Sequence, residues 1–237
     1  MGGFANNAPI VTDGLVFYVD AGNSKSYDGV SGGTTWTDLV GGNDGTLTNM
    51  ETNPANAGYV YDSANGGGIS FDGSNDYISL PSGVLPSNTN VTISATLKNN
   101  YSTTTNNKGI FGINGSPKLY FYMANPGPGG TDSRVTVYNG SSYAAPAVGE
   151  NTFPIGETHS FSLVIDGSGN FKYYKDGALE SSVTGISFSS SGDTYLGAYP
   201  TLTNNGQFTF YNVRIYNRAL SASELLQNYN ALKNRFV

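Results

Sequence analysis

His159 is the only histidine in the chain of 237 residues, and the chain contains no cysteine. A nucleophile triad needs a base that is held beside the attacking side chain, so we predict that no such triad is assembled here. On a predicted strand, His159 also lies on the same face as the apolar residues Phe161, Leu163 and Ile165. A core histidine with satisfied hydrogen bonds is more common at such a position than a catalytic base. The lack of cysteine also excludes disulfides and thiolate metal sites.

Three hard oxygen ligands, Asp72, Asn75 and Asp76, come close together in one predicted turn, and Asp20 ends the first predicted strand. Ca²⁺ prefers carboxylate and amide oxygens of this kind in loops. The alternative is that Asp and Asn form the turn itself, because their side chains hydrogen-bond the backbone nearby. Calcium is therefore the one cofactor candidate, and turn formation is its competing explanation.

Tyrosine occurs 17 times in the sequence. Tyr138, Tyr143 and Tyr199 are candidates to stack on a sugar ring, because a tyrosine combines a flat apolar body with a polar tip. Tyrosines also fill the pleated faces of sheets without any ligand. Carbohydrate binding and packing are therefore both open for these residues.

The segments that carry these candidates are short strands separated by turn residues. This rhythm predicts an all-β fold, a sandwich or a barrel, and the strands are numerous enough for two sheets packed face to face. The segment 91–98 is a clear example, because alternate apolar residues place one face in the core: Val91, Ile93, Ala95 and Leu97.

Two segments are predicted to be hairpins. In 170–183 the dipeptide Asp176–Gly177 suits a type I′ turn between two strands. In 67–80 two strands flank a turn at 72–75, which consists of Asp, Gly, Ser and Asn.

The end of the chain predicts one short C-terminal helix, 221–232. Ser221 and Glu224 have the spacing of a capping box, and Leu220 can pack on Leu225 as a hydrophobic staple. The predicted apolar side of the helix consists of Leu225, Leu226, Tyr229 and Leu232. This side either closes the domain or binds a partner, and the short connection from the preceding strand favours closure.

No linker or internal repeat divides the chain, so we predict one domain at 14–237 that follows an N-terminal arm at 1–13. The arm contains Gly, Asn and Pro with a short apolar patch that includes Ile10 and Val11. It is either a tether that adds to the sheet edge of a neighbouring protein or the first edge strand of the domain itself.

The bulk properties exclude several classes of function. The net charge is −6, with 11 Lys and Arg, so no basic stripe is present to bind nucleic acid. No apolar run reaches the ~20 residues that span a membrane. The N-terminus lacks the basic and apolar regions of a signal peptide.

Three segments together resemble a known family. The closing segment "VRIYNRALSASELLQNYNA", the hairpin "YYKDGALESS" and the early segment "ISFDGSNDYISL" are similar to motifs of laminin-G-like and concanavalin A-like jelly rolls. They occur in the order of that family and bracket residues 67–230. The resemblance implies a two-sheet antiparallel jelly-roll sandwich of the concanavalin A-like type, in which the one short C-terminal helix is a structural closure. One departure is that "ISAT" replaces the usual "ISAW", which places Thr96 where an aromatic residue is common.

The opening segment, 14–49, resembles segments that are frequent in jelly-roll proteins of tailed bacteriophages. Trp36, the only tryptophan, lies in this segment and is predicted to pack in the core or at an edge rather than to bind sugar.

The resemblance also implies a test for glucanase activity, since such enzymes carry two carboxylates on alternate residues of one strand. None of the glutamates is followed two residues later by Asp: Glu51, Glu150, Glu157, Glu180 and Glu224. We therefore expect no enzymatic activity.

The resemblance of the opening segment favours a virion structural protein, most readily a capsid-surface decoration protein. It would be made in the host cytoplasm and would assemble on the particle with other virion proteins and with copies of itself. The alternative is a carbohydrate-binding, lectin-like module or a tail-fibre component that recognises host-surface glycans.

Overall fold

The computed structural model describes residues 8–29, 33–50, 58–60, 66–86, 90–101, 107–115, 118–124, 134–138, 143–144, 153–184 and 192–236. These residues form two antiparallel sheets and one α-helix near the C-terminus. The predicted all-β sandwich with a single short C-terminal helix is confirmed for this part of the chain. No helix in the described part is long and apolar enough to cross a membrane.

One sheet, called the helix-side sheet below, is centred on the two longest strands of the described chain. Strand β16 (Phe208–Tyr216) has two partners along one edge. Strand β5 (Gly68–Ser70) pairs with its first residues, and strand β1 (Leu15–Asp20) pairs with the residues that follow. Apart from β1, the strands are, in spatial order, β14 (Ala178–Val183), β13 (Phe171–Lys175), β12 (Thr158–Ile165), β7 (Val91–Asn99), β16, β5 and β4 (Gly58–Val60).

The other sheet is called the tyrosine-side sheet, because its outer face carries tyrosines. Its strands are, in spatial order, β11 (Tyr143–Ala144), β10 (Arg134–Tyr138), β9 (Leu119–Ala124), β8 (Lys108–Ile113), β15 (Thr194–Leu196), β6 (Tyr77–Leu80), β3 (Gly45–Thr48) and β2 (Thr35–Trp36).

The core lies between the two sheets and follows the alternation of the strands. The predicted inward face of β7 is confirmed, since Val91, Ile93, Ala95 and Leu97 are all buried. Trp36 is fully buried in the same cluster, as predicted for a core residue. The burial of its indole group leaves no ring face exposed to a ligand.

One predicted hairpin is confirmed and the other is wrong. Strands β13 and β14 pair about Asp176 and Gly177, which both have positive φ, 51° and 80°, as a type I′ turn requires. In the segment 67–80, by contrast, β5 belongs to the helix-side sheet and β6 to the tyrosine-side sheet. The turn between them carries the chain across the sandwich, because Phe71 turns into the core beside Phe210.

The helix, α1 (Ala222–Leu232), begins as predicted. The Ser221 side chain accepts a hydrogen bond from the Glu224 backbone nitrogen, and the Glu224 carboxylate accepts one from the Ser221 nitrogen. The Arg218 guanidinium donates to Glu224 at 2.6 Å and lowers the pKa of this carboxyl to about 2. The first turn is therefore held by a capping box and an ion pair, and a short 3₁₀ turn (Lys233–Arg235) follows the helix.

The buried side of the helix differs from the predicted apolar stripe. Leu225 is buried, but Leu226 is 47% exposed, and the second buried residue is the polar Asn228. Asn228 is satisfied because its Oδ1 accepts from the Val11 nitrogen at 2.7 Å and its Nδ2 donates to the Tyr216 hydroxyl at 3.0 Å. Helix closure of the domain thus depends on one leucine and one closed polar network.

Residues 8–13 of the predicted arm contact the helix. The Tyr216 hydroxyl donates to the Val11 carbonyl at 3.1 Å, and the Gln227 amide donates to the Pro9 carbonyl at 2.7 Å. Val11 is buried with Tyr216, Leu220 and Leu225 in a small cluster separate from the main core. Residues 8–13 form no strand, and residues 1–7 lie outside the described part of the chain.

We expect Leu225→Asp to destabilise the whole domain by about 3 kcal/mol, because it places a carboxylate in a buried apolar cluster. The melting temperature should fall by roughly 10 °C. The neighbouring Leu226→Asp is the matched control and should have little effect, since Leu226 is exposed. Equal melting temperatures for wild type and Leu225→Asp would contradict the role of the helix in closing the domain.

Candidate functional site

Four tyrosines lie together on the outer face of the tyrosine-side sheet. The Tyr120 ring is 5.6 Å from Tyr138 and 5.0 Å from Tyr199, and the Tyr199 ring is 5.4 Å from Tyr122. Tyr199 stands nearly perpendicular to Tyr120, at 81°. Tyr120, Tyr138 and Tyr199 are half-buried, whereas Tyr122 is buried beneath them. We call these four residues the tyrosine cluster.

Strand alternation and register position three members of the cluster. Tyr120 and Tyr122 alternate with the core residues Leu119 and Phe121 on β9, so they point to the opposite face. Tyr138 lies directly opposite Tyr120 in the register of β9 and β10. Cross-strand aromatic pairs of this kind stabilise a sheet and hold both rings in place.

The fourth member, Tyr199, is supplied by the loop 197–206, which folds over β8. The loop is pinned by hydrogen bonds from the Gly109 nitrogen to the Asn204 carbonyl, 2.8 Å, and from the Gly197 nitrogen to the Ile110 carbonyl, 2.9 Å. Gly109 and Gly112 make this close approach possible. A Cβ at Gly109 would lie 2.6 Å from the Tyr199 nitrogen, and a Cβ at Gly112 would lie 2.6 Å from the Pro200 nitrogen.

The hydroxyl groups of Tyr199 and Tyr120 remain protonated at neutral pH because their pKa values are raised. Burial raises the pKa of Tyr199 well above its usual range, and Tyr122 raises it further, although side-chain hydrogen bonds with Asn204 and Asn107 oppose this. Burial, followed by the neighbouring Tyr138, also raises the pKa of Tyr120. The cluster therefore combines apolar ring surface with neutral hydrogen-bonding groups, and the exposed Asn107 and Asn204 add amides at its border.

A second aromatic pair lies on the same face of the sheet. Tyr77 of β6 and Tyr195 of β15 have ring centroids 5.8 Å apart in an edge-to-face arrangement. The Tyr195 hydroxyl donates to the Asp193 carboxylate at 3.3 Å. In the register of the sheet, Tyr195 and Tyr120 both lie opposite Gly112, one on each side of β8. The backbone of the loop 197–206 passes over this glycine, between the two aromatic groups.

The structure brings together two of the three tyrosines that the sequence offered as sugar-stacking candidates. Tyr138 and Tyr199 both contact Tyr120. Tyr143 pairs with Tyr138 in the register of β10 and β11, and its side chain lies outside the described part of the structure. The sequence analysis missed Tyr120 and Tyr122, although their alternation with Leu119 and Phe121 was a usable signal.

The predicted calcium ligands are engaged mainly with the backbone of their own turn. The Asp76 carboxylate accepts from the Asp72 nitrogen at 2.8 Å, and the Asp72 carboxylate accepts from the Ser74 nitrogen at 2.7 Å. The Asn75 carbonyl accepts from the Asn49 amide at 3.0 Å. Asp20 is bound instead to the Arg235 guanidinium, at 2.6 and 3.0 Å. In the described residues, no three acidic or histidine side chains are grouped so as to hold a metal ion.

His159 lies at the end of β12 rather than deep in the core. Its Nδ1 is 2.7 Å from the Asp176 carboxylate and its Nε2 is 2.9 Å from the Glu157 carboxylate. The side chain is 15% exposed and contacts the Phe153 and Phe161 rings. The predicted core histidine is therefore confirmed in its hydrogen bonds but not in its burial, since His159 is only half-buried on the helix side of the molecule.

The glutamates that the structure describes lie away from the tyrosine cluster. Glu157 is bound to His159, Glu180 is exposed on β14, and Glu224 belongs to the capping box. Glu51 and Glu150 lie outside the described residues. The carboxylate that contacts a tyrosine of the outer face is Asp193.

A comparison with protein families decides the classification of this fold. The family described as the concanavalin A-like lectin/glucanases superfamily matches residues 72–226, more than half of the chain. The chain belongs to this superfamily. The matched range contains β6 to β16, the tyrosine cluster and the first half of the C-terminal helix. A search of curated proteins gave no match.

Solved structures with this superfamily fold cover nearly the whole chain. Domain 4 of an extracellular arabinanase from Geobacillus stearothermophilus, solved in complex with arabinotriose, aligns with a TM-score of 0.65 at 20% identity. The alignment covers 91% of this chain and 98% of that domain. A sialidase from Trypanosoma rangeli aligns with a TM-score of 0.66 at 17% identity. There the alignment covers 94% of this chain but 33% of the sialidase, so this chain spans about a third of that protein.

We expect Gly109→Ala to displace the loop 197–206, because the added Cβ would overlap the backbone of Ala198 and Tyr199. The backbone cannot move as a flexible side chain can, so the domain should lose about 2 kcal/mol of stability. Amide hydrogen exchange of Gly197 and Gly206, whose nitrogens hold the loop, should become faster. Gly41→Ala is the control, since its Cβ would meet mainly the side chain of Asn43. Unchanged exchange in Gly109→Ala would contradict this packing.

Proposed function

We propose that this chain is a non-catalytic carbohydrate-binding module and that the tyrosine cluster is its sugar-binding surface. The observation that supports the proposal is the contact of Tyr199 with Tyr120 and Tyr122 on one outer face of the sandwich. A sheet needs no loop folded over its outer face to be stable. The glycines at 109 and 112 nevertheless allow a loop to bring a fourth tyrosine to that face.

The chemistry of the surface suits a neutral sugar. Aromatic rings stack on the apolar C–H face of a pyranose or furanose, and hydroxyl and amide groups at the ring edges bond its hydroxyls. Here the half-buried rings of Tyr120, Tyr138 and Tyr199 provide the apolar surface. Asn107 and Asn204 hydrogen-bond with Tyr199 and provide amides beside it. The solved structure of the arabinanase domain with arabinotriose gives one precedent for a sugar ligand on this fold.

The proposal excludes catalysis at this face. Glycoside hydrolysis uses two carboxylates about 5–9 Å apart that flank the scissile bond. The described glutamates lie on the helix-side sheet or on the helix, and each of Glu157 and Glu224 is bound to a cationic partner or a histidine. Asp193 lies beside Tyr195, where its carboxylate orients the tyrosine hydroxyl.

We expect Tyr120→Ala and Tyr199→Ala each to weaken binding of a glycan identified on a glycan array by about tenfold, the loss of roughly one stacking contact. Isothermal titration calorimetry measures the effect, and melting curves verify that each variant is folded. Leu179→Ala is the matched control, because Leu179 is 54% exposed on the opposite sheet. Full binding by both tyrosine variants, or equal loss in Leu179→Ala, would contradict the proposed surface.

The absence of catalysis is tested separately. Incubation with arabinan, β-glucan and sialylated glycans should release no new reducing ends or free sialic acid. Release that disappears in Asp193→Asn would show that the surface is an active site. Release that survives this substitution would point to an acid elsewhere and would equally contradict a non-catalytic module.

We propose as the biological setting of this module a phage particle, as a capsid-surface decoration protein or a tail-fibre component. The support is the resemblance of segment 14–49 to opening segments of phage jelly-roll proteins, and Trp36 in that segment anchors strand β2 in the core. A virion role implies contacts with other virion proteins and with further copies of this chain. Mass spectrometry of purified particles from the source phage should detect this chain in stoichiometric amounts. Its absence from intact particles would reject the virion role and leave the carbohydrate-binding proposal untouched.

A further inference from the structure

A second candidate site lies on the opposite side of the molecule, beneath the C-terminal helix. An open pocket of about 140 Å³ lies between the outer face of the helix-side sheet and the C-terminal residues Tyr229, Lys233 and Phe236. Its floor is formed by Thr96 and Ser160, whose hydroxyl oxygens are 2.8 Å apart. A cavity needs only about 10–15 Å³ on the same measure to hold one water molecule, so this pocket has room for a small organic molecule.

The carboxylate in the pocket wall is already used by the protein. Asp176 Oδ2 is 2.7 Å from His159 Nδ1, and Asp176 Oδ1 accepts from the Ser160 nitrogen at 2.9 Å. The other nitrogen of His159 is bound to Glu157. Because both oxygens of Asp176 already have hydrogen-bond partners within the protein, this carboxylate is engaged and is not proposed as the ligand contact.

The aromatic walls also already carry cations. The Lys233 ammonium lies 5.7 Å from the centroid of the Tyr229 ring, and the Arg235 guanidinium lies 5.1 Å from that of Phe236. Arg235 is neutralised by Asp20. Lys233 forms no salt bridge with a carboxylate among the described residues, although it lines the pocket. Lys233 is therefore the cation of the lining that remains available to pair with a ligand.

Two buried side chains behind the floor of the pocket, Asn212 and Arg214, also carry hydrogen-bond donors, and donors favour an anionic ligand. Asn212 Oδ1 accepts from the Thr96 hydroxyl at 3.3 Å, and its Nδ2 donates to no described acceptor although the residue is fully buried. Arg214, two residues along the same strand face, is 2% exposed, and its Nε and Nη1 also lack described acceptors. Among the described residues this guanidinium forms no salt bridge, so it adds positive charge to the layer behind the floor.

We propose that this pocket binds a small organic carboxylate with a flat apolar body. The carboxylate pairs with the Lys233 ammonium and accepts from the hydroxyl of Ser160, and the apolar body packs against Phe236. An ammonium ligand is disfavoured, because Lys233 and Arg235 already lie over the two aromatic rings. This site is independent of the tyrosine cluster, since it lies on the other sheet.

The wild-type protein permits a test that needs no substitution. Benzoate and benzamide have nearly the same shape and differ in charge. Backbone amide NMR shifts of residues 96, 160, 176 and 229–236 should change saturably with benzoate, with a Kd below about 10 mM. Benzamide should bind at least roughly tenfold more weakly, as expected for the loss of a charged hydrogen-bonded pair. Equal affinity for both probes, no saturable shift with benzoate, or shifts confined to other residues would overturn the proposal.

A pair of lysine variants then identifies the cation. Lys233→Gln should weaken benzoate binding by roughly tenfold, whereas Lys25→Gln, a change at an exposed lysine outside the pocket, should bind like wild type. Both variants are first compared with wild type by melting temperature. Undiminished benzoate binding by folded Lys233→Gln would overturn the assignment of the carboxylate to this ammonium.

Discussion

The missing side chains at Gly109 and Gly112 are the constraint on which the outer face of the tyrosine-side sheet depends. Any Cβ at these positions would overlap the backbone of residues 198–200. Since both positions are bare, the loop 197–206 lies directly on β8 and hydrogen-bonds to it. Tyr199 then contacts Tyr120 and Tyr122, which lie on the outer face of β9 because side chains alternate along a strand. The tyrosine cluster is thus a consequence of backbone packing that two glycines permit.

The outer faces of the two sheets differ in what covers them. The central strands of the helix-side sheet, β7 and β16, are buried on both faces. Their outward positions are occupied by small or hydrogen-bonding residues: Thr92, Ser94, Thr96, Asn212 and Arg214. The helix and the end of the chain cover this polar layer. The tyrosine-side sheet has no helix over it in the described part of the chain, and its outer face is left to aromatic side chains with polar tips. Closure by the helix and the proposed sugar-binding surface therefore lie on opposite sides of one core.

Local signals predicted the features that depend on a few adjacent residues. The capping box at Ser221 and the type I′ turn at Asp176–Gly177 were both found in the sequence, because neither needs a distant partner. The segment 67–80 shows the limit of such signals. A turn of Asp, Gly, Ser and Asn looks the same whether the next strand returns to the same sheet or crosses to the other one. That choice is made by the burial of Phe71 and Asp76, which depends on residues far away in the chain.

The candidate site was only partly predictable for the same reason. The sequence of one strand is enough to predict that Tyr120 and Tyr122 share a face. Their contact with Tyr199 depends on a loop almost eighty residues later in the chain. The helix gives a similar case, since Leu226 fits the apolar stripe and yet is exposed, while Asn228 is buried. Asn228 is tolerated there because Val11, at the other end of the chain, supplies its hydrogen-bond donor. Long-range contacts of this kind leave no mark in a local pattern.

The central claim is that sugar binds on the tyrosine cluster, and a crystal structure of the protein with a bound oligosaccharide tests it most directly. The ligand should be the one selected on the glycan array, soaked or co-crystallised at saturating concentration. The account predicts a sugar ring in stacking contact with Tyr120, Tyr138 or Tyr199 and hydrogen-bonded near Asn107 or Asn204. An oligosaccharide bound at any other part of the sandwich, with the tyrosine cluster untouched, would contradict it.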